Sequence, residues 1–184
     1  MRADARRNHE RLLAEARAAF AAHGTDASLE DIARRAGVGI GTLYRHFPNR
    51  EALMNAVFQE ALATLVQRSR ELAGTEEPCR ALVEWLRSLI THAGEYRGLS
   101  RALMSAMSSP YDGSSALAQC SLPLRAAGER LLDRAVQAGT VRGDVPIGDL
   151  MQLTNAIALA AEQNTGDAEL ADRLLALTLR GLKP

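Results

Sequence analysis

The chain has 184 residues, 47% hydrophobic and 24% charged, a composition that suits one large or two small globular domains and excludes a disordered or fibrous segment. Its 22 basic and 22 acidic residues cancel, which argues against a general nucleic-acid coat protein. Two cysteines without a CxxC spacing make no disulfide framework, and no apolar run approaches the roughly 18 residues a membrane span needs. The N-terminus is charged and lacks an apolar signal core, so the expected location is the cytoplasm.

Alanine, leucine and arginine dominate, and apolar residues recur at three and four rather than at two, which predicts an all-α chain of about nine helices. The first helix is expected over Arg6 to His23, with Leu12, Ala16, Ala19, Phe20 and His23 inward. Residues 28 to 47, SLEDIARRAGVGIGTLYRHF, read as two short helices around a glycine turn. Ser28 suits an N-cap, with Asp31 three residues on as a near capping box. Ile32 and Ala36 share an inward face, and Gly37 falls just past the last turn, where a left-handed residue ends a helix. Gly39 is the next N-cap, a poorer one than serine. Leu43 and Phe47 are the buried pair of the second short helix, which leaves Gly41, Thr42, Tyr44, Arg45 and His46 mostly outward. Pro48 stops that helix and Asn49 caps the next.

A fourth helix over about Asn49 to Ala73 carries Leu53, Val57, Ala61, Leu62, Leu65 and Val66 inward. After a break at 74–78, helices are expected near Cys79 to Ala93 and Tyr96 to Ser108. The composition of Ser109 to Ser114 is that of a loop. A seventh helix runs from about Ser115 to Ala138 with a kink at Pro123, an eighth from Gly148 to Asn164, and a ninth from Asp167 to Leu182.

Two short helices joined by a glycine turn, the second polar and basic, form the pattern of a helix-turn-helix, which lays its second helix in the DNA major groove. Charge is segregated toward it: residues 1–50 hold nine arginines and six acidic residues, and the rest of the chain carries the compensating negative excess. Arg45 is the first choice for a base reader, because a guanidinium grips guanine O6 and N7 with two bonds. Thr42 adds a methyl or hydroxyl contact, and Gly41 permits close approach of the backbone to the groove. Arg2, Arg6 and Arg7 form an N-terminal basic cluster within reach of phosphate or minor groove, or simply a solvated arm.

Residues about 7 to 66 resemble the DNA-binding domain of the TetR family of bacterial transcriptional regulators. The resemblance is carried by Arg11-Leu12-Leu13, Ala16, Phe20 and Gly24, then by Leu29, Asp31-Ile32-Ala33 and Ala36-Gly37-Val38. Its most specific part is Gly41-Thr42-Leu43-Tyr44, His46-Phe47-Pro48 and Arg50-Glu51-Ala52-Leu53. Gly39 departs from the family's usual serine and Arg50 from its commoner lysine. The C-terminal two-thirds, above all Ala135 to Leu153, is similar to the regulatory domains of the SbtR-like branch.

The resemblance implies a helix-turn-helix DNA-binding domain over 1–50, completed by the fourth helix to about 66, and an effector-binding and dimerisation domain over 51–184. It adds Ser28, Leu29 and Ile40 to the DNA-binding set, and makes Tyr44, His46 and Arg50 phosphate clamps. It implies a homodimer on a palindromic operator, acting as a repressor released by a small apolar effector. Expected pocket residues are Trp85, His92, Tyr96, Met104, Met107 and Tyr111. The dimer seam is expected on the last two helices, through Leu153, Ala156, Ile157, Ala160, Leu170, Leu174 and Leu177, for which filling the monomer core is the alternative. No residue stands in a Glu-x-x-His, HExxH, GxSxG or phosphate-loop pattern, so no catalytic residue, metal ligand or cofactor is expected.

Overall fold

The structure, a computed structural model, describes residues 2–95 and 116–183, with the side chains of residues 2, 3, 25, 95 and 116–120 outside the description. Among the described residues there are eight α-helices and no strand: α1 Arg2–His23, α2 Leu29–Arg35, α3 Ile40–His46, α4 Arg50–Thr75, α5 Pro78–Glu95, α6 Ala116–Gln137, α7 Ile147–Gln163 and α8 Leu170–Gly181. The helix expected over Tyr96 to Ser108 and the loop after it lie outside the described residues. No described helix is long and apolar enough to cross a membrane. The described chain falls into two compact units, residues 2–60 and residues 61–95 with 116–183.

In the first unit, α1 buries Leu12, Ala16, Ala19 and Phe20, the i, i+4, i+7, i+8 stripe of one helix face. His23 departs from that expectation: it is exposed at the helix end, a position where a basic group suits the dipole. α2 starts at Ser28, whose Oγ accepts the Asp31 amide at 3.2 Å. The box is only half formed, because the Asp31 carboxylate takes Arg34 Nη2 at 2.5 Å instead of reaching back. The helix ends in a Schellman turn: Val38 N–H donates to Ala33 O at 3.0 Å and Gly37 N–H to Arg34 O at 3.1 Å, with Gly37 at φ +69°. That left-handed φ is what requires glycine there, since an added Cβ would meet nothing closer than 3.6 Å. α3 follows, anchored by Leu43 and then by Phe47, both buried, and Asn49 Oδ1 caps α4 by accepting the Ala52 amide at 2.8 Å. Leu53, Val57 and Phe58 of α4 close this core.

The second unit packs the rest of α4 and α5 to α8 around a core that runs from Leu62 to Leu182. Trp85 is fully buried within it, and its indole N–H donates to the Leu65 carbonyl at 3.1 Å. α6 can lie against α5 only because residue 128 is glycine: a Cβ there would sit 2.7 Å from Trp85 Cη2 and 2.9 Å from Ile147 Cγ1. α6 runs through Pro123 as one helix. The last helix begins later than its composition predicts, at Leu170 rather than Asp167. Asp167 stands ahead of it and grips Arg173 with two bonds, 3.0 and 2.5 Å long, an ion pair that holds the carboxyl below its ordinary titration range.

Candidate nucleic-acid interface

The placement of α3 follows from two side chains. Leu43 and Phe47, one turn apart, are driven into the core, so the residues between and opposite them are turned outward. Ile40 and Tyr44 are large yet 36% and 45% exposed, and Gly41 and Arg45 are exposed beside them. Thr42 and His46 are half-buried at the edges of this face. A Cβ added to Gly41 would meet nothing within 4 Å, so the helix surface there is open for a neighbouring body to approach the backbone closely. An exposed isoleucine and tyrosine and a half-buried threonine around one arginine make a surface suited to stacking, methyl contact and bidentate hydrogen bonding.

Electrostatics single out Arg45. Most other arginines of the first unit are occupied: Arg7 with Asp4, Arg34 with Asp31, Arg35 with Glu15, Arg17 with Glu60 and Arg6 with Glu10. Among the described residues Arg45 makes no hydrogen bond or ion pair. The occupied arginines remain usable by a polyanion, because exposed pairs of this kind hold each other by only about 0–1 kcal/mol. Arg2 of the N-terminal cluster lies outside the described side chains, while Arg6 and Arg7 project from α1 itself.

Three predicted contact residues also have structural duties. Leu29 is buried at 5% exposure, so only its backbone amide, in the first turn of α2, can face a ligand. The Ser28 hydroxyl is committed to capping and also donates to Glu30 Oε2 at 3.3 Å. Arg50 is half-buried, and its Nη1 donates to Ala27 O at 2.6 Å, tying the start of α4 to the loop before α2. This structural tie was invisible in the sequence because Ala27 is 23 positions away. One residue that sequence reasoning passed over belongs here. His9 of α1 stacks on Phe47 at 4.8 Å between ring centroids and lies 5.6 Å from the His46 ring.

In the second unit, Trp85, expected in the pocket, is fully buried in the core, and its one polar handle already has a partner. His92 does border an open groove of about 360 Å³ between α4 and α5, with Leu65, Arg68, Glu84, Arg87 and Thr91 among its walls. The side chains around it carry polar ends, but the surface they turn to the groove is mostly carbon. Tyr96, Met104, Met107 and Tyr111, the other expected pocket residues, lie outside the described residues.

α7 and α8 pack on each other and keep an apolar outer face. Leu153 and Leu177 are 46% and 59% exposed, with Ala156, Ala160 and Leu170 half-buried nearby in sequence at helical spacing. Ile157 is the correction in this set: at 4% exposure it fills the monomer core. Leu174 is half-buried and packs partly against that core.

Comparison with known proteins matches residues 12–57 to the profile of bacterial regulatory proteins of the tetR family, and residues 77–184 to the C-terminal domain of SbtR-like transcriptional regulators. Among solved structures, a TetR transcriptional regulator of Streptomyces coelicolor is 37% identical, over 96% of this chain and 98% of that one, with a TM-score of 0.71. A TetR regulatory protein of Mycobacterium vanbaalenii is 34% identical, over 100% and 99%, with a TM-score of 0.67. A curated HTH-type transcriptional regulator of Staphylococcus aureus is 36% identical over 73 residues, a match that spans 39% of this chain and 40% of that protein.

Proposed function

Because the chain belongs to the TetR family of bacterial transcriptional regulators, with an SbtR-like C-terminal domain, we propose that it is a homodimeric repressor that binds a palindromic operator and is released by a small-molecule effector. The observation that carries the reading is the outer face of α3: Arg45 without a partner among the described residues, beside open Gly41 and Thr42, on a helix fixed from behind by Leu43 and Phe47.

Two such helices, one from each protomer, enter successive major grooves about one helical turn, roughly 34–36 Å, apart. Arg45 and Thr42 read base edges. Tyr44, His46 and Arg50, with the amides at the start of α2, hold phosphates and set the register. The apolar face of α7 and α8, through Leu153, Ala156, Ala160, Leu170 and Leu177, supplies the dimer contact. Effector binding in the second unit shifts the balance between DNA-competent and incompetent dimers. A useful coupling is about 1–3 kcal/mol, or 5–150-fold in operator affinity.

The test is selection of duplexes from a random-sequence pool by the purified protein, followed by fluorescence anisotropy on the recovered site. A palindromic consensus is expected, bound at least a thousandfold more tightly than random duplex, in keeping with the usual gap of about 10³–10⁷. The double variant Thr42→Ala/Arg45→Ala should lose the preference while retaining weak, salt-sensitive binding. If that variant selects the same consensus as tightly as the parent, the assignment of α3 is wrong.

A further inference from the structure

Two of the chain's four histidines meet at one end of the recognition helix. His46 is the last residue of α3, and His9 reaches it from α1, which is separated from it in sequence by the whole of α2. Both rings are half-buried, and among the described residues neither has a hydrogen bond or ion pair. His9 stacks on Phe47 at 27° between planes, and the two imidazoles are tilted at 55° to each other. Among the described residues no ring nitrogen of the pair is taken by a hydrogen-bond partner.

The charged groups on the helices that carry and flank the pair point to an anion. α1 contributes Arg6 with Glu10 and Arg7 with Asp4, and α2 contributes Arg35, held by Glu15 of α1. α3 contributes Arg45, and the start of α4 contributes Arg50, held on Ala27 O, and Glu51. Among the described residues no carboxylate, whether Asp4, Glu10, Glu15 or Glu51, forms an ion pair with either ring. Two imidazoliums 5.6 Å apart repel each other, and the C-terminal end of a helix and an aromatic face each favour a cation. An anion set against both rings removes the repulsion.

We propose that His9 and His46 together form a proton-linked anchor for one phosphate of the DNA backbone, so that duplex binding draws a proton onto the pair. The proposal rests on the DNA-binding reading above and adds a residue, His9, and a dependence on pH. Histidine is the side chain that changes charge between about pH 5 and 8, whereas the arginines that dominate this chain's cationic surface do not. Affinity for DNA should therefore carry a pH dependence that arginine contacts alone cannot produce.

The experiment measures affinity by anisotropy from about pH 6 to 8 at fixed ionic strength. The probe is a fluorescein-labelled duplex carrying the palindrome that the wild-type protein selects. Wild-type affinity should fall as pH rises, at its steepest about tenfold per pH unit, the signature of one proton taken up. His9→Phe keeps a ring on Phe47 but has no proton to accept, and should bring the slope below about threefold per unit. His9→Phe/His46→Gln should be flat, and the exposed control His23→Gln should keep the wild-type slope. Calorimetry in two buffers of different ionisation enthalpy should count the same proton, and thermal unfolding of His9→Phe checks that the unit is folded. A flat wild-type profile with normal binding, or a full slope in folded His9→Phe, overturns the anchor alone. Failure to select any duplex overturns both the anchor and the reading beneath it.

Discussion

Gly41→Ala separates the demands of folding from those of DNA binding, because the two predict opposite signs at the same atom. Gly41 is the second residue of α3, and the space around a Cβ there is empty to 4 Å. In the free protein the added methyl therefore clashes with nothing. Alanine is favoured over glycine in a helix by about 0.5–1 kcal/mol, with the lower half of that range applying in a first turn. For a chain of this size that raises the thermal midpoint by roughly 1–3 °C. On DNA the same methyl projects from the surface argued to lie against base edges. Forcing one methyl into a closely packed contact costs about 1–3 kcal/mol, which weakens operator binding by roughly 5- to 150-fold. Differential scanning calorimetry and anisotropy on the selected duplex read the two effects from one preparation. A variant that is more stable and binds DNA as tightly as the parent would refute the close approach of α3. A destabilised variant would refute the open surface.

Three further outcomes are expected. Ser28→Ala removes the acceptor of the Asp31 amide and should destabilise the first unit by about 1 kcal/mol, measured as a lower urea midpoint at unchanged m-value. Gly128→Ala places a Cβ 2.7 Å from the Trp85 ring and should cost about 1–3 kcal/mol. Trp85 is the only tryptophan, so its emission reports that loss directly, and an unchanged unfolding midpoint would contradict the packing described. Arg142 and Arg173 hold the Asp144 and Asp167 carboxyls, through short hydrogen bonds, below their ordinary titration range. A lowered folded-state value means stability that is complete above the unfolded carboxylate range, near 3.9, and lost as pH falls through the folded value. The stability gap between wild type and Asp144→Asn/Asp167→Asn should thus be small at pH 7, these groups being exposed, and should close on acidification. A gap that widens toward low pH would reverse the sign.

Much of the first unit was legible because its instructions are local. The cap at Ser28, the left-handed turn at Gly37 and the Leu43/Phe47 anchor all act over three to five positions, the range in which a helix's own hydrogen bonds operate. The same reasoning failed wherever contacts join distant segments. It put His23 inward, at the point where the stripe of α1 has already run past the core, and it passed over His9, whose partner ring is on another helix. Nor did it show that the Leu29 side chain is buried, which leaves only the backbone amide for a contact.

In the second unit the difference is sharper. Periodicity correctly marks Trp85, Leu153, Ile157 and Leu177 as one kind of residue, apolar at helical spacing, and cannot rank them. The fold does so by filling the space around α5. Trp85 and Ile157 are consumed by the core, while Leu153 and Leu177 stay exposed.

The residue pattern alone determined that this chain is helical, where its DNA-facing motif begins and ends, and which family it resembles, since capping, turn chemistry and amphipathic period are written within a few positions. Only the tertiary structure decided which of the described arginines are paired with an acid, Arg45 not among them, which apolar residues stay exposed and which two histidines share one end of a helix. Burial and charge pairing depend on what other segments bring to the same place, and that information is held by no single stretch of sequence.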